Sequence, residues 1–229
     1  MGRGLHSDKP FNFLERLSGS KYGLYRKSWV FLNITDGHND PIGTSKVNPG
    51  NRKVGRDLIN SLVEAGFKSI KYVTPYNGQK QAVTSMMQAL RLPENVNIDV
   101  ATVDVAQGSE ADVVIFDLVS AAHKSKSANF VRSYNRLNVS LTRAKYGLVF
   151  IGSKGSAEHL SDPANAKRHQ FYDYIVTVAI REDVFCSLTS DSRPVPEGLD
   201  IMRDPRAKTC RICREYGHIA KEFPECPMS

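Results

Sequence analysis

The chain has 229 residues, of which 41% are hydrophobic and 24% are charged, a composition typical of a globular protein. Its apolar runs are shorter than the roughly 20 residues that a membrane-spanning helix needs, and its first residues, MGRGLHSDKPFNF, lack the apolar stretch of a signal peptide. We therefore expect no membrane partner and a location in the cytoplasm or the nucleus.

The net charge is +7, and much of the positive charge lies in one stretch. Between Leu118 and Ala157 the sequence has no Asp or Glu. The same stretch carries Lys124, Lys126, Arg132, Arg136, Arg143, Lys145 and Lys154. A cationic segment of this kind binds phosphate groups of a nucleic acid or a nucleotide, although a basic solvated face gives the same pattern.

Strand and helix patterns alternate through most of the chain. Short β-rich runs, several of them apolar on both faces, predict strands over 28–35, 69–76, 96–105, 112–120 and 146–153. Helical spacing of apolar residues predicts helices over 51–66, with Gly66 as the C-cap, over 77–91 and over 135–145. This order predicts an α/β fold, with a mostly parallel sheet covered by helices on both faces. In such sheets ligands sit at the carboxyl ends of the strands.

The remainder of the chain divides by composition. Residues 166–190 are expected to form a helical extension, in which the amphipathic segment 169–182 suits a final helix or an edge strand, and Cys186 is expected to be buried. Residues 191–208 are rich in Pro and charge and predict a linker. Residues 209–229 are too few for a hydrophobic core, so a fold there needs another stabilising element, such as a bound metal.

Three segments carry the functional signal: YVTPYNGQKQAV (72–83), TVDVAQGSEADVVIFDLV (102–119) and NRLNVSLTRAKYGLVFIG (135–152). In this order and spacing they resemble motifs IV, V and VI of the second motor domain of superfamily 1 helicases. The branch they resemble is that of the nonsense-mediated-decay and Sen-type RNA helicases. The resemblance implies a RecA-like, P-loop-NTPase-type domain over 21–165, preceded by a remnant of another region over 1–20.

Motors of this family hydrolyse ATP in a cleft between two RecA-like domains, and the second domain completes the site on closure. The resemblance implies that Arg143 is the catalytic arginine finger, which stabilises the charge that develops during phosphoryl transfer. It also implies nucleotide contacts from Gln107, Gly108 and Glu110. Arg136 is a further candidate for a nucleotide contact and the nearest alternative to Arg143 as the arginine finger.

The resemblance places nucleic-acid contacts on other residues. Thr74, Pro75 and Tyr76 follow one strand pattern, and Thr102 belongs to another. In the family these positions grip the nucleic-acid backbone through hydroxyl and main-chain N–H groups, contacts that give register and affinity but do not distinguish bases. For Thr102, ordinary strand composition is an equal explanation.

The phosphate-binding loop G-x-x-x-x-G-K-[ST] does not occur in the sequence. Asp104 and Asp117 belong to the motif V segment and do not form a magnesium-binding acidic pair. We therefore expect this chain alone to lack ATPase activity, and ATP and Mg²⁺ to require an N-terminal RecA-like helicase half, in cis or in trans. The expected function is the C-terminal motor half of a helicase on single-stranded RNA or DNA. The alternative is a non-catalytic RNA-binding or adaptor protein built on a helicase-derived domain.

The tail CRICREYGHIAKEFPECP resembles a CCHC zinc knuckle. Cys210, Cys213 and His218 have the spacing of the first three ligands, but Phe223 occupies the usual fourth position, and Cys226 follows three residues later. Because tetrahedral zinc needs four ligands, a zinc site depends on Cys226, and a tail without metal is the alternative. A formed knuckle would contact single-stranded nucleic acid.

Overall fold

The described part of this computed structural model comprises residues 29–106, 110–119, 143–154 and 170–195, of which 170–173 are described by their backbone alone. The elements in chain order are β1 (Trp29–Ile34), β2 (Asp40–Ile42), β3 (Ser45–Val47), α1 (Pro49–Glu64), β4 (Ser69–Thr74), α2 (Asn77–Gln88), β5 (Asn97–Thr102), β6 (Ala111–Asp117), β7 (Ala144–Gly152), α3 (Gln170–Arg181) and β8 (Phe185–Leu188). They belong to the compact unit that ends at Pro194.

Six of the strands form one sheet in the order β5-β4-β6-β7-β1-β8, and every pairing in it is parallel. Successive residues of β1 point to opposite faces, so Leu32 joins the apolar cluster under α1 and α2, whereas Phe31 joins the cluster under α3. The structure thus confirms the predicted α/β class, with a parallel sheet covered by helices on both faces.

Helix α1 has clear start and stop signals. Its N-cap, Asn48, accepts a hydrogen bond from the backbone N–H of Asn51 through its side-chain oxygen (2.9 Å), and Pro49 occupies the first turn, where its missing N–H costs nothing. Val54, Leu58 and similar residues of one face are fully buried. The C-cap is Ala65, one residue before the predicted Gly66, which follows it at a positive φ of +94°.

A small antiparallel hairpin precedes α1 and was not predicted from the sequence, because β2 and β3 have three residues each. Its tight turn uses Gly43 at φ +57°. The hairpin packs on α2, where Ser45 Oγ accepts a hydrogen bond from the backbone N–H of Gly78 (2.8 Å). Since Tyr76, the N-cap of α2, makes no side-chain capping bond, Ser45 satisfies an N–H that the helix itself leaves unpaired.

The strand β8 extends the sheet beyond the predicted five strands. The sequence analysis expected a helical extension over 166–190, and α3 accounts for its helical part. The chain then turns at Asp183 (φ +56°) and adds β8 in parallel beside β1. The four residues of β8 are too few for an apolar pattern that would distinguish a strand from a helix or a loop. Cys186 is buried in β8, as expected.

Ala144 and Lys145 were predicted as the end of a helix over 135–145, but they begin β7. The rest of that predicted helix lies outside the described residues, as do the segments predicted over 1–20, most of the linker and the tail. In the described ranges no helix is both long and apolar enough to cross a membrane.

Candidate functional site

The predicted site residues lie at two opposite edges of the sheet. Thr74 and Thr102 end β4 and β5 at what we call the carboxyl edge, whereas Glu110 and Arg143 directly precede β6 and β7 at the amino edge. Since the strands are parallel and rise about 3.3 Å per residue, the seven residues of β6 separate the edges by roughly 20 Å. The expectation that the site lies at carboxyl ends therefore holds for the threonines and not for Glu110 and Arg143, because these two precede their strands.

At the carboxyl edge the structure brings the predicted nucleic-acid residues together. Thr74 and Thr102 are direct neighbours in the β4–β5 register. Both side chains are buried, and the Thr74 hydroxyl has no hydrogen-bond partner in the structure. Pro75 is also buried, whereas Tyr76 is partly exposed, with the Lys46 ammonium 5.1 Å from its ring centroid. This is a cation–π distance.

Asp117, at the end of β6, is the centre of the carboxyl edge. It is fully buried, and its carboxylate accepts four hydrogen bonds. The Tyr72 hydroxyl (2.6 Å) and the Gln79 side-chain amide (2.6 Å) donate to Oδ2. The Asn51 side-chain amide (2.7 Å) and the backbone N–H of Val119 (2.9 Å) donate to Oδ1. The four lone-pair directions of a carboxylate are therefore all used.

The same network reaches the start of α1 through Gln79. The Gln79 side-chain oxygen accepts from the backbone N–H of Asn48 (2.9 Å), and its amide also lies 3.3 Å from the Asn48 carbonyl. Asn48 in turn donates to Asn39 (3.3 Å) in the segment before β2. The first turns of α1 and α2 and the ends of β4 and β6 are thus linked by buried polar contacts.

Burial perturbs both acidic groups of this network. It raises the pKa of Asp117, an effect that the hydrogen bonds from Tyr72, Asn51, Val119 and Gln79 oppose. Burial, followed by the nearby Asp117 charge, raises the pKa of Tyr72 well above its ordinary value. The phenol therefore stays protonated over the physiological range and donates its hydrogen to the carboxylate.

Gly55 makes room for the Tyr72 ring. A Cβ at this position would lie 2.8 Å from Tyr72 Cε2 and 3.0 Å from the hydroxyl oxygen. The first distance is shorter than Cβ contacts in proteins and the second is tight, so the ring would have to shift. A glycine at this position therefore lets the ring lie where its hydroxyl reaches Asp117.

At the amino edge, the described residues Glu110 and Arg143 lie in front of β6 and β7. The backbone N–H of Ala111 donates to the Arg143 carbonyl (3.0 Å), which sets Glu110 and Arg143 side by side. The Glu110 carboxylate forms an exposed ion pair with Lys145 (3.7 Å). Arg143 is partly buried, and its Nε has no hydrogen-bond partner in the structure. The Nε atom is itself buried, and a guanidinium is a group that binds carboxylates and phosphates.

Seven further predicted residues fall in the undescribed ranges of the chain. Gln107, Gly108 and Arg136, together with the proposed zinc ligands Cys210, Cys213, His218 and Cys226, lie outside the described residues. Within the described ranges no three His, Cys, Asp or Glu side chains are grouped as a metal site requires.

Sequence reasoning missed the role of Asp117, although it noted the residue. The available signal was a carboxylate inside the apolar run of 112–120, where a charge is costly unless several donors surround it. Three of the four donors, on Asn51, Tyr72 and Gln79, come from distant segments and leave no local pattern.

Comparison with known proteins identifies relatives for most of the described chain. A family model described as "AAA domain" matches residues 6–155. Among curated proteins, "ATP-dependent helicase NAM7" of Saccharomyces cerevisiae is 38% identical over 119 residues, which are 50% of this chain and 12% of that protein. "Regulator of nonsense transcripts 1" of Dictyostelium discoideum is 35% identical over 129 residues, 54% of this chain and 10% of the relative.

A third relative matches more of the chain. "DNA polymerase alpha-associated DNA helicase A" of Schizosaccharomyces pombe is 31% identical over 180 residues, which are 78% of this chain and 24% of that helicase. The match thus spans only a small part, between about a tenth and a quarter, of the length of these relatives.

Proposed function

The chain belongs to the AAA domain family and is a RecA-like superfamily 1 helicase domain of the nonsense-transcript-regulator branch, and from this premise we propose that it is the C-terminal half of an ATP-dependent motor on single-stranded RNA. In this role the amino edge contacts the nucleotide and the carboxyl edge contacts the nucleic acid. An N-terminal RecA-like half, in cis or in trans, supplies the phosphate-binding loop.

The observation that carries the proposal is the separation of the two residue sets across the sheet. Arg143 and Glu110 are neighbours at one edge, and Thr74 and Thr102 are neighbours at the other. A motor needs such a separation, because it must bind nucleotide and nucleic acid at once and couple one to the other. A protein that only binds RNA has no need of the amino-edge pair.

Arg143 is proposed to act on the transferred phosphoryl group. Its unpartnered Nε lies in a partly buried position, where a guanidinium interacts with developing negative charge more strongly than in water. Glu110 is proposed to give up its exposed ion pair with Lys145 and to accept hydrogen bonds from the nucleotide instead. Gln107, Gly108 and Arg136 remain predictions as further nucleotide contacts.

The described residues do not fit a magnesium site, since no group of three potential ligands occurs among them. We therefore propose that Mg²⁺, like the β- and γ-phosphates, is held by the other motor half. The chain alone is then expected to bind RNA and to hydrolyse no ATP.

Nucleic-acid binding is proposed to use the carboxyl-edge loop, which we define as residues 74–76, together with Lys46. Tyr76 offers an aromatic face for a base, and Lys46 beside it offers a cation for a phosphate. RNA is preferred to DNA because a relative named for nonsense transcripts matches 54% of this chain. The DNA helicase among the relatives makes single-stranded DNA the necessary comparison in any binding assay.

A zinc knuckle formed by Cys210, Cys213, His218 and Cys226 remains part of the proposal as a second contact to the single strand. Its test is the zinc content of the purified chain, with Cys226→Ser as the variant that removes the fourth ligand. About one equivalent of zinc that the variant loses supports the knuckle, and a metal-free wild-type chain contradicts it.

The experiment for the motor role measures ATP hydrolysis and RNA binding by the full chain, with and without oligo(U). Arg143→Ala is the test variant, and Arg181→Ala, which removes an exposed arginine of α3, is the matched control. We expect RNA binding by all three proteins and no hydrolysis by any of them.

Two results would change the proposal. RNA-stimulated hydrolysis that Arg143→Ala alone abolishes would mean that the chain has a complete ATP site, and the need for a second half would be refuted. A wild-type chain that binds neither RNA nor single-stranded DNA would refute the motor role itself.

A further inference from the structure

Two residues on either side of the carboxyl-edge loop donate to one and the same oxygen atom. Tyr72 precedes the loop and Gln79 follows it, and each places a donor 2.6 Å from Asp117 Oδ2. All three side chains are fully buried. The two ends of the loop are therefore fixed by a single carboxylate oxygen.

The other oxygen of the carboxylate orders the chain that leaves β6. Asp117 Oδ1 accepts from the backbone N–H of Val119, a residue at φ +48°. The left-handed region is unfavourable for a β-branched residue, and the short turn closed by the Asp117 side chain is what supports it here. The same oxygen accepts from Asn51 in the first turn of α1.

We propose that Asp117 is the positioning residue of the carboxyl edge: its carboxylate holds residues 74–76 in the conformation that binds the nucleic-acid backbone and ties this loop to the segment that follows β6. The inference rests on the proposed function, because it assigns the loop to nucleic-acid binding. Its physical basis is preorganisation, since a loop already fixed by buried bonds loses little conformational entropy when it binds a ligand.

A carboxylate suits this task better than a neutral side chain of the same shape. It offers acceptors in four directions and no donor, which matches four converging donors. In Asp117→Asn, an NH₂ group replaces one acceptor oxygen and faces either the Tyr72 hydroxyl and the Gln79 amide or the Asn51 amide and the Val119 N–H. Either orientation breaks two of the four bonds while the side-chain volume stays the same.

The test uses the full chain and two measurements. The first is backbone amide hydrogen exchange of residues 76–80 without RNA. The second is the affinity for fluorescein-labelled oligo(U) over a salt series, in which the slope of log K against log salt counts phosphate contacts. For Asp117→Asn we expect faster exchange in this segment, roughly tenfold weaker binding and a shallower slope.

The control is Asp112→Asn on the same strand. Asp112 accepts from the backbone N–H groups of Lys68 and Ser69 at the amino edge, so this variant also removes a structural carboxylate. We expect it to change neither the exchange of 76–80 nor the salt slope. Tyr72→Phe is the milder variant for the case that Asp117→Asn does not fold, and it should shift both measurements in the same direction by a smaller amount.

A rescue variant distinguishes the loss of loop positioning from a general loss of folded structure. In Asp117→Asn/Gln79→Glu the donor and the acceptor are exchanged, so that the amide introduced at position 117 donates to the carboxylate introduced at position 79 and the buried charge is retained. That carboxylate can also still accept from the Asn48 N–H, as Gln79 does in the wild type. We expect this double variant to recover part of the affinity and the wild-type salt slope.

Exchange and binding in Asp117→Asn that equal those of the wild type would overturn the inference. Faster exchange with unchanged affinity and slope would overturn it too, because the loop conformation would then not matter for binding. Failure of the wild-type chain to bind any single strand would instead refute the proposed function, and the exchange measurement alone would then show whether Asp117 fixes the loop.

Discussion

The two edges of the sheet differ in how their polar groups are held. At the carboxyl edge, Asp117 is fully buried and saturated by four donors from four segments of the chain. At the amino edge, Glu110 is exposed and pairs only with Lys145 among the described residues, and Arg143 has an unused N–H. Among the described residues, the Asp117 carboxylate is therefore fixed by internal hydrogen bonds, whereas Glu110 and Arg143 at the amino edge and the Thr74 hydroxyl at the carboxyl edge keep polar atoms that internal bonds do not saturate.

The two proposed ligands, a nucleic-acid backbone and a nucleotide, make different demands on the groups that bind them. A nucleic-acid backbone is a repeated ligand, and a fixed loop can bind it whatever the base sequence is. A nucleotide bound between two domains requires groups that reach their target only when the domains close, so early saturation by internal bonds would hinder them.

The largest effect is expected from truncating the central carboxylate. Asp117→Ala leaves buried donors of Tyr72, Gln79 and Asn51 without an acceptor, which should lower the free energy of unfolding by about 3–5 kcal/mol. Asp112→Ala, the comparison at the amino edge, removes an acceptor that is only partly buried and should cost about 1 kcal/mol. Urea unfolding followed by circular dichroism measures both, and equal losses would contradict the contrast.

A smaller loss is expected at Gly55. In a helix, alanine is favoured over glycine by about 1 kcal/mol, yet the added Cβ would press on the Tyr72 ring at 2.8 Å. We expect Gly55→Ala to destabilise the chain by about 1–3 kcal/mol and to weaken the bond between Tyr72 and Asp117. Thermal unfolding decides the sign, and a stabilised variant would show that the ring moves without cost.

The pH dependence of stability tests the ionisation of Asp117. Because burial raises its pKa above the ordinary 3.8, the folded chain binds this proton more tightly than the unfolded chain does. Between 3.8 and the raised value, the contribution of this group to the free energy of unfolding therefore falls as pH rises. Urea unfolding of the wild type and of Asp117→Asn over a pH series above 3.8 should show the wild type losing stability relative to the variant. A relative gain would mean that the four donors outweigh burial.

The smallest effect is expected at Glu110. Its ion pair with Lys145 joins two exposed side chains at 3.7 Å, and such pairs contribute little. Glu110→Gln should change the free energy of unfolding by no more than about 0.5 kcal/mol. A loss that approached that of Asp112→Ala would show that the amino edge depends on this pair for its structure.

Most of the sheet was predictable because its strands are continuous apolar runs and its helices have regular apolar spacing. The five predicted strands and the helices α1 and α2 are confirmed, with ends that differ by a few residues. The hairpin and β8 were not, because strands of three or four residues carry too few positions for a pattern. The start of β7 was assigned to a helix because LTRAK has helical composition, whereas pairing with β6 decides its conformation.

The site was less predictable than the fold. The resemblance named Arg143 and Glu110, but the site was expected at the carboxyl ends of strands, whereas these two residues precede their strands at the amino edge. The role of Asp117, however, depends on hydrogen bonds from Tyr72 and Asn51, which lie 45 and 66 positions away in the sequence. Such contacts arise only when the folded sheet and helices bring the segments together, so no local pattern reveals them.

The central claim is that the two edges have separate tasks, and RNA affinity in matched variants tests it most directly. Tyr76→Ala, which removes the partly exposed ring of the carboxyl edge, should weaken oligo(U) binding about tenfold, whereas Tyr174→Ala, at an exposed tyrosine of α3, should not. Arg143→Ala should leave RNA affinity within about twofold of the wild type. Equal losses in Tyr76→Ala and Arg143→Ala, or a loss in Arg143→Ala alone, would contradict the account.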